Sequence, residues 1–190
     1  MARVSPEEAA RHREQVVTAA ARLFREKGVQ GVGVAELMAD VGLTHGGFYR
    51  QFASKEALAA EAVGRAYGEL SAFLDSVAAR HPGDRDAART ELIEFYLSER
   101  HRDDPGTGCA TAALSGEMAH EAPDSDAHQA FREGVAGFID GLGEFIPDRR
   151  ERITTFCTML GGLVLARALG DTPMSDEILT TARESALDDE

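Results

Sequence analysis

Residues 33–52, GVAELMADVGLTHGGFYRQF, constrain the fold of this chain more than any other stretch. Val34, Leu37, Met38 and Val41 recur at i, i+3, i+4 and i+7, which predicts a short amphipathic helix over 34–41. Gly42-Leu43 follows as a tight turn, with glycine free to take a backbone angle that a Cβ penalises. Thr44 stands where a helix N-cap belongs, and a second short helix is expected over 45–51. Phe48 and Phe52 face inward there, leaving His45, Tyr49 and Arg50 outward. Two short helices about a tight turn make the plan of a helix-turn-helix, whose second helix enters the DNA major groove.

The charge of the whole chain, −13, looks unsuited to a polyanion until it is divided. Residues 1–55 carry +2 and residues 56–190 carry −15, so only the N-terminal part is fit to approach DNA. The acidic remainder would be repelled and would help orient the molecule. Two cysteines among 190 residues form no disulfide framework. The N-terminus has no apolar signal-peptide core, and no run approaches the roughly 18 consecutive apolar residues of a membrane span. The expectation is a cytoplasmic protein with no membrane partner.

In chain order, Ser5-Pro6-Glu7-Glu8 predicts a capped helix start, and Val16, Ala20, Leu23 and Phe24 form its apolar stripe up to Gly28. Helices of two turns are unstable alone, so this long helix is needed as their brace. Arg11, Arg13, Arg22 and Arg25 are expected on its surface. Ser54 caps a long helix reaching His81-Pro82-Gly83, and further helices are expected over 85–100, 109–119, 125–146, 149–169 and 175–187. An acidic tail, Asp188-Asp189-Glu190, is expected to fray. No stretch calls for a strand. The fold class is therefore all-α: an N-terminal three-helix helix-turn-helix domain (1–55) and a C-terminal helical domain (56–190).

Lys27-Gly28, the stretch VAELMADVGLTHGGFYRQF and the trailing SKEAL (54–58) resemble the N-terminal domain of TetR-family transcriptional regulators. The resemblance covers about the first 60 residues. It implies DNA binding and a divergent helical domain for a small-molecule effector. This chain has Val32-Gly33 where the family often opens its second helix with Thr or Ser, so no side-chain phosphate contact is expected there.

Thr44, His45, Gly46, Gly47, Tyr49, Arg50 and Lys55 are the candidate DNA-contacting residues. Arg and Lys neutralise phosphates, Tyr and Thr hydroxyls donate to phosphate oxygens, and His45 can reach base edges. The alternative for each is a solvated helix face. Gly46 and Gly47 inside a short helix should cost about 2 kcal/mol relative to alanines. They mark either a backbone that approaches DNA too closely for side chains, or a helix that orders on DNA.

Phe95, Tyr96, Met118, Phe138 and Phe156 are candidate lining for an effector cavity between helices, chiefly because the family resemblance implies one. Cys109 follows Gly108 at an expected helix start and is either a thiol switch, as in some TetR-like regulators of electrophile response, or a small buried apolar residue. Cys157 is expected in the core. The glycines at 134, 137, 141 and 143 either let a neighbouring helix approach or leave room for a ligand. Leu160, Gly161, Leu163, Val164, Ile178, Leu179 and Ala182 form a seam suited to an isologous four-helix dimer interface, with an intramolecular core as the alternative. The histidines offer no ligand quartet at recognised spacing, so no metal or cofactor is expected.

The functional expectation is a ligand-responsive homodimeric regulator, a repressor released from a palindromic double-stranded operator by a small-molecule effector. The alternatives are an enzyme or a non-specific architectural protein with an appended DNA-binding fold. No nucleophile elbow, phosphate-cradling glycine loop or His-Glu-x-x-His motif supports an enzyme.

Overall fold

The computed structural model describes residues 5–188, and everything regular among them is helical. Helix α1 (Pro6–Lys27) starts where the Ser5 hydroxyl accepts the Glu8 N–H at 3.2 Å and stops at Gly28, whose φ of +75° ends the helical run. Helices α2 (Val34–Asp40) and α3 (His45–Phe48) complete the N-terminal unit, with Gly42 (φ +69°) making the turn between them. Then come α4 (Lys55–Arg80), α5 (Arg85–Tyr96), α6 (Glu99–Asp103), α7 (Ala110–Met118), α8 (Asp126–Gly141), α9 (Arg149–Leu169) and α10 (Pro173–Leu187). Ser54, Asp84, Ser98, Ser125, Asp148 and Thr172 each cap the following helix through a side-chain oxygen, which fixes where each begins.

Four expected helix boundaries are corrected, among them that of the helix expected over 125–146, which ends at Gly141 and passes into a 3-10 turn over Leu142–Glu144. The helix expected over 85–100 is two: Ser98 caps α6 by accepting the His101 N–H, and the chain turns between Tyr96 and Glu99. The expected 45–51 helix is a single turn, His45–Phe48, followed by hydrogen-bonded turns from Phe48 O to the amides of Gln51 and Phe52. Two glycines in four residues leave too little intrinsic propensity to carry it further. The last helix, expected over 175–187, begins two residues earlier, with Pro173 as the first residue of α10. Most of the expected acidic tail, Asp189-Glu190, lies outside the described residues.

The side chains bury into two contiguous clusters. The first gathers α1, α2, α3 and the first half of α4, together with Ala110, Leu114 and Met118 of α7 and Ala127 of α8. The second gathers the second half of α4 with α5, α8, α9 and α10. Leu70 on α4 and Val135 on α8 pack against both, so these two helices join the clusters. At 26 residues, α4 spans about 39 Å from the N-terminal unit to the far end. The packing of α8 on α4 depends on Gly134, where a Cβ would fall 2.1 Å from the Tyr67 ring. Gly141 lets the same helix approach Leu74. Among the described residues one helix, α9, is long and apolar enough to cross a membrane by length and composition; its inner face lies in the second cluster.

Candidate DNA-binding surface and sensor core

The reading turn is held from behind. Phe48 is fully buried, its ring 5.4 Å from that of Phe52, and Met38 and Leu37 of α2 pack in the same cluster. With that anchor, Thr44, His45, Gly46, Tyr49 and Arg50 are exposed on one short segment, Gly47 and Lys55 half-buried beside it. Tyr49 is 63% exposed, a large apolar ring in water with the His45 ring edge-on at 5.9 Å. Thr44 occupies the N-cap position, but its hydroxyl makes no capping bond, contrary to expectation, and is left available. Gly33 caps α2 with no side-chain bond.

Among the described residues, each other Lys or Arg of the unit has a carboxylate within ion-pairing distance. Arg13 pairs with Glu61, Arg22 with Asp40 and Glu26, and Lys27 with Glu36. Among the described residues Arg50 and Lys55 have no such partner, so the uncompensated positive charge sits at the reading turn. That concentration is what a polyanion requires.

Neither glycine of the turn is demanded by the protein's own packing. A Cβ at Gly46 meets nothing within 4 Å, and one at Gly47 makes an ordinary 3.5 Å contact with Met38 Cε. Both glycines have ordinary negative φ.

The candidate effector residues do not form one set. Tyr96, Cys109, Phe138 and Phe156 are buried together in the second cluster, with the Phe138 and Phe156 rings 4.9 Å apart. Phe95 is half-buried beside them, stacked on His101 at 5.5 Å. Met118 belongs to the first cluster instead, and lines a cleft of about 320 Å³ between the starts of α4 and α8 and the turn after α1. Cys157, expected in the core, is exposed, because it lies on the outer face of α9 with Ile153 and Gly161.

The C-terminal helices also bury a polar group that no sequence pattern singles out. The His101 ring bonds the Tyr96 carbonyl through Nδ1 at 2.7 Å and accepts the Cys109 N–H at Nε2 at 3.0 Å. Burial lowers the His101 pKa to about 4, with the nearby Arg167 charge acting in the same direction, so the ring is neutral at pH 7. Arg167 donates to the His101 carbonyl at 2.7 Å, and Tyr67 bonds Thr111 at 2.8 Å. The Cys109 thiol lies beside Tyr96 and Arg167 and is fully buried. Two side-chain atoms here, the Tyr96 hydroxyl and Arg167 Nη1, are buried without a hydrogen-bond partner. Arg25, expected on the surface of α1, is also buried here. It donates to the Gly108 carbonyl and pairs with Glu69. Such a set is invisible in the sequence because its members come from α1, α4, α5, α6, α7 and α9.

On the opposite side, α9 and α10 present Val164 and Leu165, 40% and 55% exposed, and Met174, 54% exposed. Leu165 and Met174, with half-buried Ile178 and Ala182, line a groove of about 430 Å³; Leu160, also half-buried, and Val164 lie outside its lining. Two residues of the expected dimer seam, Leu163 and Leu179, point the other way, into the chain's own core. The 3.6-residue period puts Leu160 and Val164 on the outer face and Leu163 on the inner one.

Residues 16–62, which contain the second half of the brace, the turn at 44–50 and the start of α4, match the family model described as bacterial regulatory proteins, tetR family. The chain carries the N-terminal DNA-binding unit of TetR-family regulators. It is 27% identical over 149 residues to the HTH-type transcriptional repressor NemR of Escherichia coli K12, an alignment covering 76% of this chain and 72% of that one. The crystal structure of the reduced form of E. coli NemR superimposes with a TM-score of 0.78 at 21% identity, over 93% of this chain and 95% of that one. A TetR-family regulator from Agrobacterium tumefaciens reaches a TM-score of 0.76 at 18% identity, over 93% and 98%. The Bacillus subtilis regulator FadR, solved in complex with stearoyl-CoA, reaches 0.68 at 15% identity, over 92% and 97%. These likenesses extend the shared fold beyond the DNA-binding unit to the helical C-terminal domain.

Proposed function

We propose that this DNA-binding regulator is a homodimeric repressor that occupies a palindromic operator and leaves it when a small-molecule effector engages the C-terminal helices. The observation that carries the reading is the surface made by Thr44, His45, Tyr49 and Arg50, exposed on one turn with the unit's uncompensated cations beside them. In this reading Tyr49, Arg50, Lys55 and the Thr44 hydroxyl hold phosphates, and His45 reaches a base edge. Gly46 and Gly47 let the backbone approach the groove. Residues 1–55 act as the reading unit and 56–190 as the sensor, with α4 belonging to the cores of both.

One turn of helix reads few base pairs, and two turns at fixed spacing read a palindrome. The outer face of α9 and α10, with Leu160, Gly161, Val164, Ile178 and Ala182, supports a two-fold four-helix seam. For the effector, the polar group around Tyr96, Cys109, His101 and Arg167 is the best-supported site. It offers two unsatisfied hydrogen-bonding atoms beside a thiol, with Phe138 and Phe156 in the same cluster. The occupancy of FadR by stearoyl-CoA shows that a related fold holds a small molecule. An effector that prefers a dimer of different head spacing displaces the DNA-competent one by its differential affinity.

Selection of bound sequences from random duplex DNA tests this reading. Enrichment of an inverted repeat, with two chains per duplex, supports it; recovery of no sequence preference overturns it.

A further inference from the structure

The turn that leads from α1 into the helix-turn-helix is clasped by a carboxylate from the sensor side. Glu117, in the last turn of α7, accepts the Val29 N–H at 2.6 Å through Oε2 and the Gln30 N–H at 3.0 Å through Oε1. No cation lies within ion-pairing distance of Glu117 among the described residues, so its hydrogen bonds go to backbone alone. Gly28 completes the clasp. Its φ of +75° aims the next two amides outward, and a Cβ there would stand 2.8 Å from Glu117 Oε1. The partners are 88 and 87 residues apart in sequence, so this is a tertiary bond and no local cap.

The other end of α7 is tied to the same helix. Arg25, in the last turns of α1, donates to the carbonyl of Gly108, directly before the Cys109 that caps α7. The carbonyl of Gly108 is therefore bonded to the end of α1, and the carboxylate of Glu117 to the turn that follows it. The nine-residue helix between them cannot tilt or slide without breaking one tie.

We infer that Glu117 is the positioning residue of the reading unit: its carboxylate fixes the turn at 28–30, and through it the orientation of α2 and α3, on the sensor domain. With the clasp closed the unit meets DNA already oriented. With it open the unit can pivot on α4, and docking must restrict that freedom. Whatever displaces the first turn of α7, beside the buried polar group, is delivered by a rigid helix to Val29 and Gln30. The inference deepens the proposed repressor reading without depending on the identity of the effector.

The sign of the effect separates this role from a merely electrostatic or bystander one. Glu117 is negative, and removing a negative charge near a DNA-binding surface should strengthen or leave unchanged the binding of a polyanion. Loss of the clasp should weaken it. The experiment uses the full chain, Glu117→Ala and Glu117→Asp, and the duplex that the wild type enriches from random DNA. Affinity is read by fluorescence anisotropy, and amide exchange at Val29 and Gln30 by NMR. Both variants should bind about tenfold more weakly, the aspartate because it keeps the charge and loses the reach. Exchange at Val29 and Gln30 should rise at least about tenfold while the interior amides of α1 and α7 keep their protection. Unchanged or tighter DNA binding overturns the inference, and so does unchanged exchange. If Glu117→Ala does not fold, the isosteric Glu117→Gln carries the test, with one of the two amides deprotected. If the wild type enriches no sequence, the repressor reading fails, and the exchange measurement alone decides whether the clasp exists.

Discussion

The imidazole of His101 accepts the backbone N–H of Cys109 while its other nitrogen bonds the carbonyl of Tyr96, so the ring is held neutral between α5 and α7. Burial lowers its pKa from 6.5 to about 4. The unfolded chain then binds a proton between those values that the folded chain refuses. Stability is full above pH 6.5, declines as the pH falls from 6.5 to 4, and from this residue loses nothing further below that. The loss amounts to about 3 kcal/mol. Melting curves of the wild type and His101→Gln at pH 7 and pH 4.5 measure it: the wild type should lose more stability on acidification than the variant. Equal losses would remove His101 from the account.

Gly46 and Gly47 can be separated from the fold by substitution. Because a Cβ at Gly46 meets nothing within 4 Å, Gly46→Ala should raise stability by up to about 1 kcal/mol through helix propensity. On the proposed reading operator binding should nevertheless fall, because the added methyl would stand between the backbone and the groove. Thermal melts and gel shifts on the same preparation check both signs. A variant that is more stable and binds as well as wild type would leave the glycine unexplained.

Arg50 and Lys55 are expected to act on phosphates and not on bases. Arg50→Ala and Lys55→Ala should weaken binding to specific and random duplexes alike. Each should also reduce the slope of log K against log salt by about 0.9. His45→Ala should instead lose preference for the operator over random DNA. Titrations at several salt concentrations distinguish the two patterns.

Along α8 the glycines fall into two kinds. Gly134→Ala drives a methyl into the Tyr67 ring and should cost about 1–3 kcal/mol. Gly137→Ala faces open space and should stabilise by up to about 1 kcal/mol. Urea denaturation of both variants gives the comparison. The outcome decides between close helix packing and ligand room as the reason for glycine at 134.

What the sequence disclosed and what it hid follow from the reach of each signal. The brace, the turn at Gly42 and the capped starts at Ser5 and Ser54 were legible, since periodicity and caps are local properties. The length of α3 was overestimated because the apolar spacing of Phe48 and Phe52 outweighed the glycine pair. The break before Ser98 had a visible cap that the apolar stripe of Leu92, Phe95 and Tyr96 concealed. Cys157 reads as core because Ile153, Phe156 and Leu160 surround it at helical spacing, and only the packing shows that Ile153, Cys157 and Gly161 share the outer face. Arg25, His101, Arg167 and Glu117 were beyond reach, because their partners are distant in sequence and no short motif records such pairing.

The most direct test of the central claim is a gel shift with the duplex upstream of the chain's own gene, competed by random DNA at moderate salt. The account predicts a discrete retarded band that random DNA does not displace and that Tyr49→Ala abolishes. No retarded band, or one that random DNA removes equally well, would contradict it.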